Sequence, residues 1–562
     1  MALKKYDWLL AIISIAFCAS SFGNGANDIA NSYASSVAAR TLTMPQVGVL
    51  AAITEFVGAV ALGKRVTSTI KNGIISIKRF EGNPGALILA MTCAEVGSAS
   101  WLLIATRLGF PVSTTQTVVG ALIGVGFASQ SSIKWEWDSG SVSQVAASWA
   151  IAPAIAGCLA AIIFATIKYS VLERRESLKW AMRLIPLYLA VTAGILALFI
   201  VIEAPTAPSL EKFGAGKAVG IILGVFFGVL AIAYIFFLPY FHRRLIKNDA
   251  RLKWWHIPLG PTLWRDDPWI YLPARADGEV VIDYYEGGNR SETTSQTDSA
   301  TVSHKEENSL KGDLKGDSTA LEANPTVIRR RKPHVEPEER FLAPTANLPL
   351  YNPRRLWSIT KFFLLQGVTR ECVTFTSAHV QATHALVARY DNRVEHLWTY
   401  AQVASAMLMS IAHGSNDVSN AVGPWASAYA TYQASAVKTK SPTPDWIFVI
   451  AGLLLGTGFW FFGFHIIRSL GNRITQLSPT RGYSMELGAA TTVLLASRLG
   501  LPVSTTQCLT GACLGVALMN YKLGAVNWRQ IAFILLGWIL TLPGAGLIAG
   551  VLAVMALNTP HF

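Results

Sequence analysis

Apolar residues run along this chain in long blocks. They fall near 6–31, 45–63, 86–108, 111–128, 143–171, 180–203 and 215–241, then resume near 397–430, 446–467, 483–499, 502–520 and 529–558. A helix needs about 20 apolar residues to cross a hydrocarbon core of roughly 30 Å. The pattern therefore predicts an all-α, polytopic membrane protein with about twelve transmembrane segments. The run from Trp8 flows straight into a polar motif without a convincing cleavage site, so it reads as the first membrane helix. Two pairs, 86–108 with 111–128 and 483–499 with 502–520, are separated only by Gly-Phe-Pro or Gly-Leu-Pro. Each pair is either two crossings or a re-entrant hairpin with its tip inside the membrane, where irregular backbone is tolerated if it lines a cavity.

Three divisions follow: a membrane domain over 1–241, a cytosolic loop over 242–396, and a second membrane domain over 397–562. Within the loop, 285–345 is rich in Ser, Thr, Gly and charge and is expected to be disordered. Residues 355–396 instead place Leu356, Trp357, Phe362–Leu365 and Val380–Val387 at helical spacings among basic residues. Amphipathic helices are expected there, either on the inner membrane surface or against the protein's own cytosolic face.

Composition supports the membrane reading: 562 residues, 52% hydrophobic, 14% charged, mean hydropathy +0.38. The net charge of +13 has a local meaning. Residues 242–396 hold 22 Lys/Arg against 20 Asp/Glu, so the excess lies in short loops near membrane ends, where it sets orientation. With no basic–aromatic module, nucleic acid is excluded as a partner. The basic loops 173–179 and 242–247 are assigned to the cytosol, which places both termini outside and the two halves in opposite senses. The five basic residues between Lys64 and Arg79 fall on the outer side and run against that rule. Six scattered cysteines show neither metal nor disulfide spacing and read as packing thiols.

Two polar motifs recur inside the apolar blocks. Arg107–Gln116 (RLGFPVSTTQ) reappears at Arg498–Gln507 with one change in ten, and Gly25–Asn31 (GANDIAN) reappears as Gly414–Asn420 (GSNDVSN). Recurrence in the same order means an internal duplication, and the count of crossings makes it an inverted repeat. Polar groups held in lipid-embedded segments are costly and by default mark an ion or substrate path; duplicated halves with broken helices are the signature of a secondary transporter.

Pro-Val-Ser-Thr-Thr-Gln opens a helix at membrane depth, exposing free N–H groups and hydroxyls at the positive end of the helix dipole. Ser113, Thr114, Thr115, Ser504, Thr505 and Thr506 are candidate donors to a small tetrahedral oxyanion; the alternative is that they only cap two helices. Asn27, Asp28, Asn31, Asn416, Asp417, Asn420, Gln116 and Gln507 supply the hard oxygen ligands a small cation such as Na⁺ requires. Asp28 and Asp417 also lie beside the anion, so a bound cation removes their repulsion and couples the two ions. The competing reading pairs each Asp with an arginine such as Arg40 or Arg107. Glu95 and Glu486, twelve residues before Arg107 and Arg498, are candidates for arginine pairing or proton handling. Glu55 has no acidic counterpart in the second copy and is a candidate for proton or cation coupling.

These motifs resemble the inorganic phosphate transporter (PiT) family, and most closely the fungal plasma-membrane sodium–phosphate symporter branch. The resemblance covers about 1–241 and 397–558. It implies inward co-transport of inorganic phosphate with Na⁺, a large cytosolic loop, a homodimer, and no cofactor besides the co-transported ion. It also makes the two Asn-Asp pairs and Ser-Thr-Thr-Gln tips the phosphate and sodium site, with Glu55 matching a family acid important for transport. Sulfate as cargo, H⁺ as coupling ion, or a phosphate sensor with little transport remain the alternatives. An enzyme or ATP-driven pump is disfavoured, since no Gly-x-x-x-x-Gly-Lys-Ser/Thr loop occurs.

Overall fold

The computed structural model describes residues 4–137, 141–203, 214–265, 281–285, 328–329, 334–373, 377–437 and 442–559. The first half comprises α1 (Asp7–Ala38), α2 (Met44–Leu62), α3 (Lys64–Asn72), α4 (Pro84–Leu108), α5 (Thr114–Ala128) and α6 (Val142–Ile167). A hairpin of α7 (Ser177–Glu203) and α8 (Ala215–Ile232) follows, then the loop helices α9 (Pro353–Leu365) and α10 (Ala378–Ala385). The second half repeats the first as α11 (Asn392–Ala434), α12 (Asp445–Phe462), α13 (Phe464–Leu470), α14 (Pro479–Arg498), α15 (Thr505–Leu518) and α16 (Trp528–Asn558).

All twelve apolar blocks are helices, and eight of the described helices are long and apolar enough to cross a membrane. The other four explain themselves. α5 and α15 have 15 and 14 residues; at 1.5 Å per residue they reach about 20 Å and stop short of a full crossing. α11 and α14 are diluted by the polar residues they bury.

The halves run in opposite senses. Near the N-terminal face, Tyr432 at the end of α11 donates to Asp7 at 2.5 Å, and Lys64 pairs with Asp445 at 2.6 Å. At the opposite, loop face, Asn472 donates to the Ala38 carbonyl and the Thr480 amide to Glu395. Hairpin α4–α5 thus starts from the N-terminal face and hairpin α14–α15 from the loop face. Each turns through a left-handed glycine, Gly109 at φ +74° or Gly500 at φ +69°, conformations that a Cβ disfavours. The hairpins are clasped by helices of the other half: a Cβ on Gly124 of α5 would meet the Gly546 carbonyl of α16, and one on Gly511 of α15 the Pro153 carbonyl of α6. Lipid offers no hydrophobic drive between helices, so small residues that let backbones approach supply the packing.

The basic stretch after Lys64 forms α3, whose Val66, Thr67 and Ile70 are buried while Lys64 is paired. It folds back into the protein as a half-helix and is not a free loop under the charge rule. The expected disordered segment lies mostly on residues outside those described. Its end is held in short helical turns, Glu338–Leu342 and Ala343–Thr345, with Glu338 bonded to Arg370 at 2.5 Å. α9 leaves Leu356, Trp357 and Phe363 at least half exposed, so the protein itself does not cover its apolar face.

Candidate functional site

The two repeated motifs meet at the centre of the molecule. Asn27 splints the first hairpin tip: its amide donates to Thr106 Oγ1 at 2.9 Å and to the Phe110 carbonyl at 3.1 Å, and its oxygen accepts from Val112 N at 3.1 Å. Asn416 meets the second tip through its amide alone, donating to the Val503 carbonyl at 2.8 Å and to Asp417 beside it at 2.8 Å. Ser113 and Ser504 occupy the N-cap positions of α5 and α15 and accept from the Gln116 and Gln507 amides. The capping role weighed for these serines is thus present, and it leaves each hydroxyl proton free to donate.

The threonines follow a crossed pattern. Thr114 donates to Asp28 at 2.6 Å and Thr505 to Asp417 at 2.7 Å, each within its own half. Thr506 reaches Asp28 at 3.0 Å and Thr115 reaches Asp417 at 3.4 Å, each across to the other half. The same two hydroxyls also touch the opposing tips, at the Val112 and Val503 carbonyls. Asn31 donates to Asp28 at 3.3 Å and to Thr506 at 2.7 Å; Asn420 donates to Asp417 at 3.1 Å and to Thr114 and Thr115. Each carboxylate is therefore held by both repeats, and every one of these side chains is buried.

What these groups lack is equally informative. The carbonyl oxygens of Asn31, Asn420, Gln116, Gln507 and Asn416 are buried without a hydrogen-bond partner. A buried unpartnered acceptor costs about 1–3 kcal/mol, and several gathered around two carboxylates suit a small hard cation. The N-termini of α5 and α15 also converge here, bringing helix-end N–H groups and partial positive charge of the kind that suits an anion.

Among the described residues, no salt bridge joins Asp28, Asp417, Glu95 or Glu486 to an arginine. Arg40 donates to the Asp283 carbonyl. Asp28 and Asp417 have threonine, asparagine and histidine neighbours instead. Glu486 accepts from Ser35 at 2.6 Å, Ser36 at 2.7 Å, Gln402 at 3.2 Å and Ser405 at 2.6 Å, a neutral nest joining α1, α11 and α14. Its counterpart Glu95 is fully buried with Ser20 as a polar neighbour, and neither oxygen has a well-formed hydrogen bond. The positions matching Ser35, Ser36, Gln402 and Ser405 are Pro424, Trp425, Ile13 and Ala16; only Trp425 carries a donor, and its indole N–H is spent on Ser14 at 3.0 Å.

Sequence reasoning missed His413. Its Nδ1 lies 2.7 Å from Glu55 Oε2 and its Nε2 3.1 Å from Asp417 Oδ2. Ser410 donates to the other Glu55 oxygen at 2.6 Å, and Thr54 with Tyr33 extends the network. Ligand atoms of Asp28, His413 and Asp417 all lie within 4.8 Å of one another. The i, i+4 spacing of His413 and Asp417 on one helix was the available signal. Asp28 has no such bridge: in the repeat-related positions Asn24 of the first half stands for His413 and Leu455 of the second half for Glu55, and Asn24 donates to the Asp417 carbonyl at 2.7 Å.

Inverted halves, two hairpins that stop short of a full crossing and a buried polar centre at their interface define the architecture of a polytopic membrane protein. The phosphate transporter family profile matches residues 24–549. The phosphate-repressible phosphate permease pho-4 of Neurospora crassa is 36% identical over 100% of this chain and 99% of its own. Sodium-dependent phosphate transporter 1 of Mus musculus is 26% identical over 98% of this chain and 96% of its own. A solved structure described as the sodium-dependent phosphate transporter superposes with a TM-score of 0.65 at 23% identity, covering 98% of this chain and 100% of that one. The chain belongs to the phosphate transporter family, whose members are transporters and not enzymes.

Proposed function

We propose that this protein is a secondary active symporter that moves inorganic phosphate into the cell with Na⁺ by alternating access. The observation that carries the reading is the crossed bonding at the centre, where each aspartate is held by threonines of both hairpins. In this arrangement the hydroxyl protons point at carboxylates. Na⁺ taken up by Asp28, Asp417 and the unpartnered amide oxygens competes for those carboxylate lone pairs. The hydroxyls of Thr114, Thr115, Thr505 and Thr506, with Ser113 and Ser504, are then released to donate to an anion between the two helix N-termini. Cation first, anion second is the order this geometry favours, and the released hydrogen bonds are the coupling. Relatives bearing sodium-dependent names support Na⁺ as the ion.

On the charge rule both termini lie outside and the loop face in the cytosol, and the likeness to a fungal phosphate permease supports the plasma membrane. The repeats 1–241 and 397–562 form the transport unit around a 242–396 loop. The homodimer reading is supported by α8, where open space surrounds Gly216, Gly220, Gly224 and Gly228 along one face; light scattering of the detergent-solubilised chain tests it. H⁺ in place of Na⁺ is the second reading, favoured by His413 lying between Glu55 and Asp417. Radiolabelled phosphate uptake into proteoliposomes, under a Na⁺ or a pH gradient and with sulfate as competitor, decides. Uptake indifferent to Na⁺, or abolished by equimolar sulfate, would overturn the proposal.

A further inference from the structure

At the loop face a cavity of about 710 Å³ opens between α13, the turn after it, the start of α16 and α10. Arg468, Arg473 and Arg529 line it, against Glu336 and Glu371. Both acids are already engaged. Glu336 lies 3.5 Å from Arg468 and 3.8 Å from Arg370. Glu371 accepts from the Val373 amide at 2.8 Å and lies 3.7 Å from His334. Burial and the neighbouring Arg468 pull the Arg473 pKa below its ordinary value, as expected where like charges are crowded and an anion is favoured.

The cavity adjoins the transport centre. Phe533 in its lining stacks on Phe110, with ring centroids 4.5 Å apart, and the Phe110 carbonyl is the one Asn27 holds. Gln530 donates to the Ser469 carbonyl, and Ser469 donates to the carbonyl of the hinge glycine Gly109. The lining is thus wired to the first hairpin tip.

The inverted repeat supplies an internal control. The Ser469–Gly109 bond at 2.7 Å is mirrored on the other face by Thr69 donating to Gly500 at 2.9 Å. In that frame the positions matching Arg468, Arg473 and Arg529 read Ser68, Gly73 and Gly140, and those matching Phe110 and Phe533 read Leu501 and Gln144. The three arginines and the aromatic pair belong to the loop-face mouth and were not imposed by the duplication.

We propose that this cavity is a second phosphate-binding site, at the inner mouth, which takes the free ion as it leaves the hairpin tips, with Arg473 and Arg529 supplying the charge. It rests on the carrier reading above. Right-side-out membrane vesicles loaded with graded inorganic phosphate test it through inhibition of Na⁺-driven uptake by the internal ion. Each charge-assisted bond lost weakens binding by about tenfold or more. R473Q/R529Q should therefore raise the internal phosphate giving half-inhibition by at least about tenfold, with external half-saturation moving less than about twofold. R473K/R529K should stay near wild type. If the paired variant does not reach the membrane, R529Q alone, at an exposed position, carries the same expectation at smaller size. Equal shifts on both sides, or none, overturn the proposal. A shift seen only when phosphoinositide is present in reconstituted bilayers also overturns it, assigning the cavity to a lipid headgroup. Wild-type vesicles without Na⁺-driven uptake would sink the carrier reading itself, and this site with it.

Discussion

Exchange of Glu55 and His413 for their repeat-related residues gives a quantitative check on the site. Glu55 and His413 are fully buried and 2.7 Å apart, whereas Glu55 is matched by Leu455 in the second repeat and His413 by Asn24 in the first. Removing one partner of a buried ionic pair typically costs about 3–5 kcal/mol, while replacing both with well-packed groups is often neutral. Glu55→Leu alone strips the imidazole of its Nδ1 partner, with only the Asp417 contact left, and leaves Ser410 without its acceptor. His413→Asn alone strands the carboxylate. Each single variant should lose about 3 kcal/mol or more, and the double variant should regain most of it. The asparagine placed at 413 has a ready acceptor, the Asp28 carbonyl, because Asn24 donates to the equivalent Asp417 carbonyl. Single losses of about 3 kcal/mol each against a double loss of about 1 kcal/mol give a coupling of about 5 kcal/mol, between about three and four decades in equilibrium. Unfolding of the purified protein in detergent, for all four members of the cycle, measures it. Uptake should remain low in the double variant, since the imidazole that touched Asp417 is gone. Strictly additive losses would refute the reasoning, for they would mean the two residues act on stability independently despite their contact.

Asp28→Asn and Asp417→Asn should each abolish or severely reduce Na⁺-driven uptake while the protein stays folded, because the charged cation ligand is lost; wild-type rates with unchanged Na⁺ dependence would contradict the coupling scheme. Removing the hydroxyls at 113–115 or at 504–506 should weaken phosphate binding more than Na⁺ binding, at about 1 kcal/mol per neutral bond and more to a charged partner, read as half-saturation for each ion. Gly511→Leu should destabilise the α15–α6 contact and lower the yield of folded protein, since its Cβ would run into the Pro153 carbonyl; unchanged thermal stability would count against the packing. Deleting 286–327 should leave uptake per surface transporter unchanged, because those residues lie outside both repeats; the cut spares Glu336 and Glu338, which pair with Arg468 and Arg370.

The sequence by itself determined the membrane class, the twelve helical blocks and the two motifs, because each depends on local composition or on repetition along the chain. Lipid permits few backbones, so apolar length converts almost directly into helices. It also identified the central site through duplication: both aspartates, both hairpin tips and the flanking asparagines come together. Partnership was decided elsewhere. Glu486 and Glu95 occupy matching positions twelve residues before the same Arg-Leu-Gly, yet one sits in a nest of hydroxyls and the other is left almost bare, because the helices packed against them differ in sequence. Likewise the Glu55–His413 contact spans 358 residues, and the crossing of Thr115 and Thr506 onto the opposite repeat depends on two hairpins entering from opposite faces. The basic stretch after Lys64 shows the same limit: its charge ran against the orientation rule, and burial of Val66 and Ile70 makes it a half-helix packed into the protein. Local pattern sets which groups can pay the cost of leaving water; only the three-dimensional packing of inverted halves sets which group each one meets there.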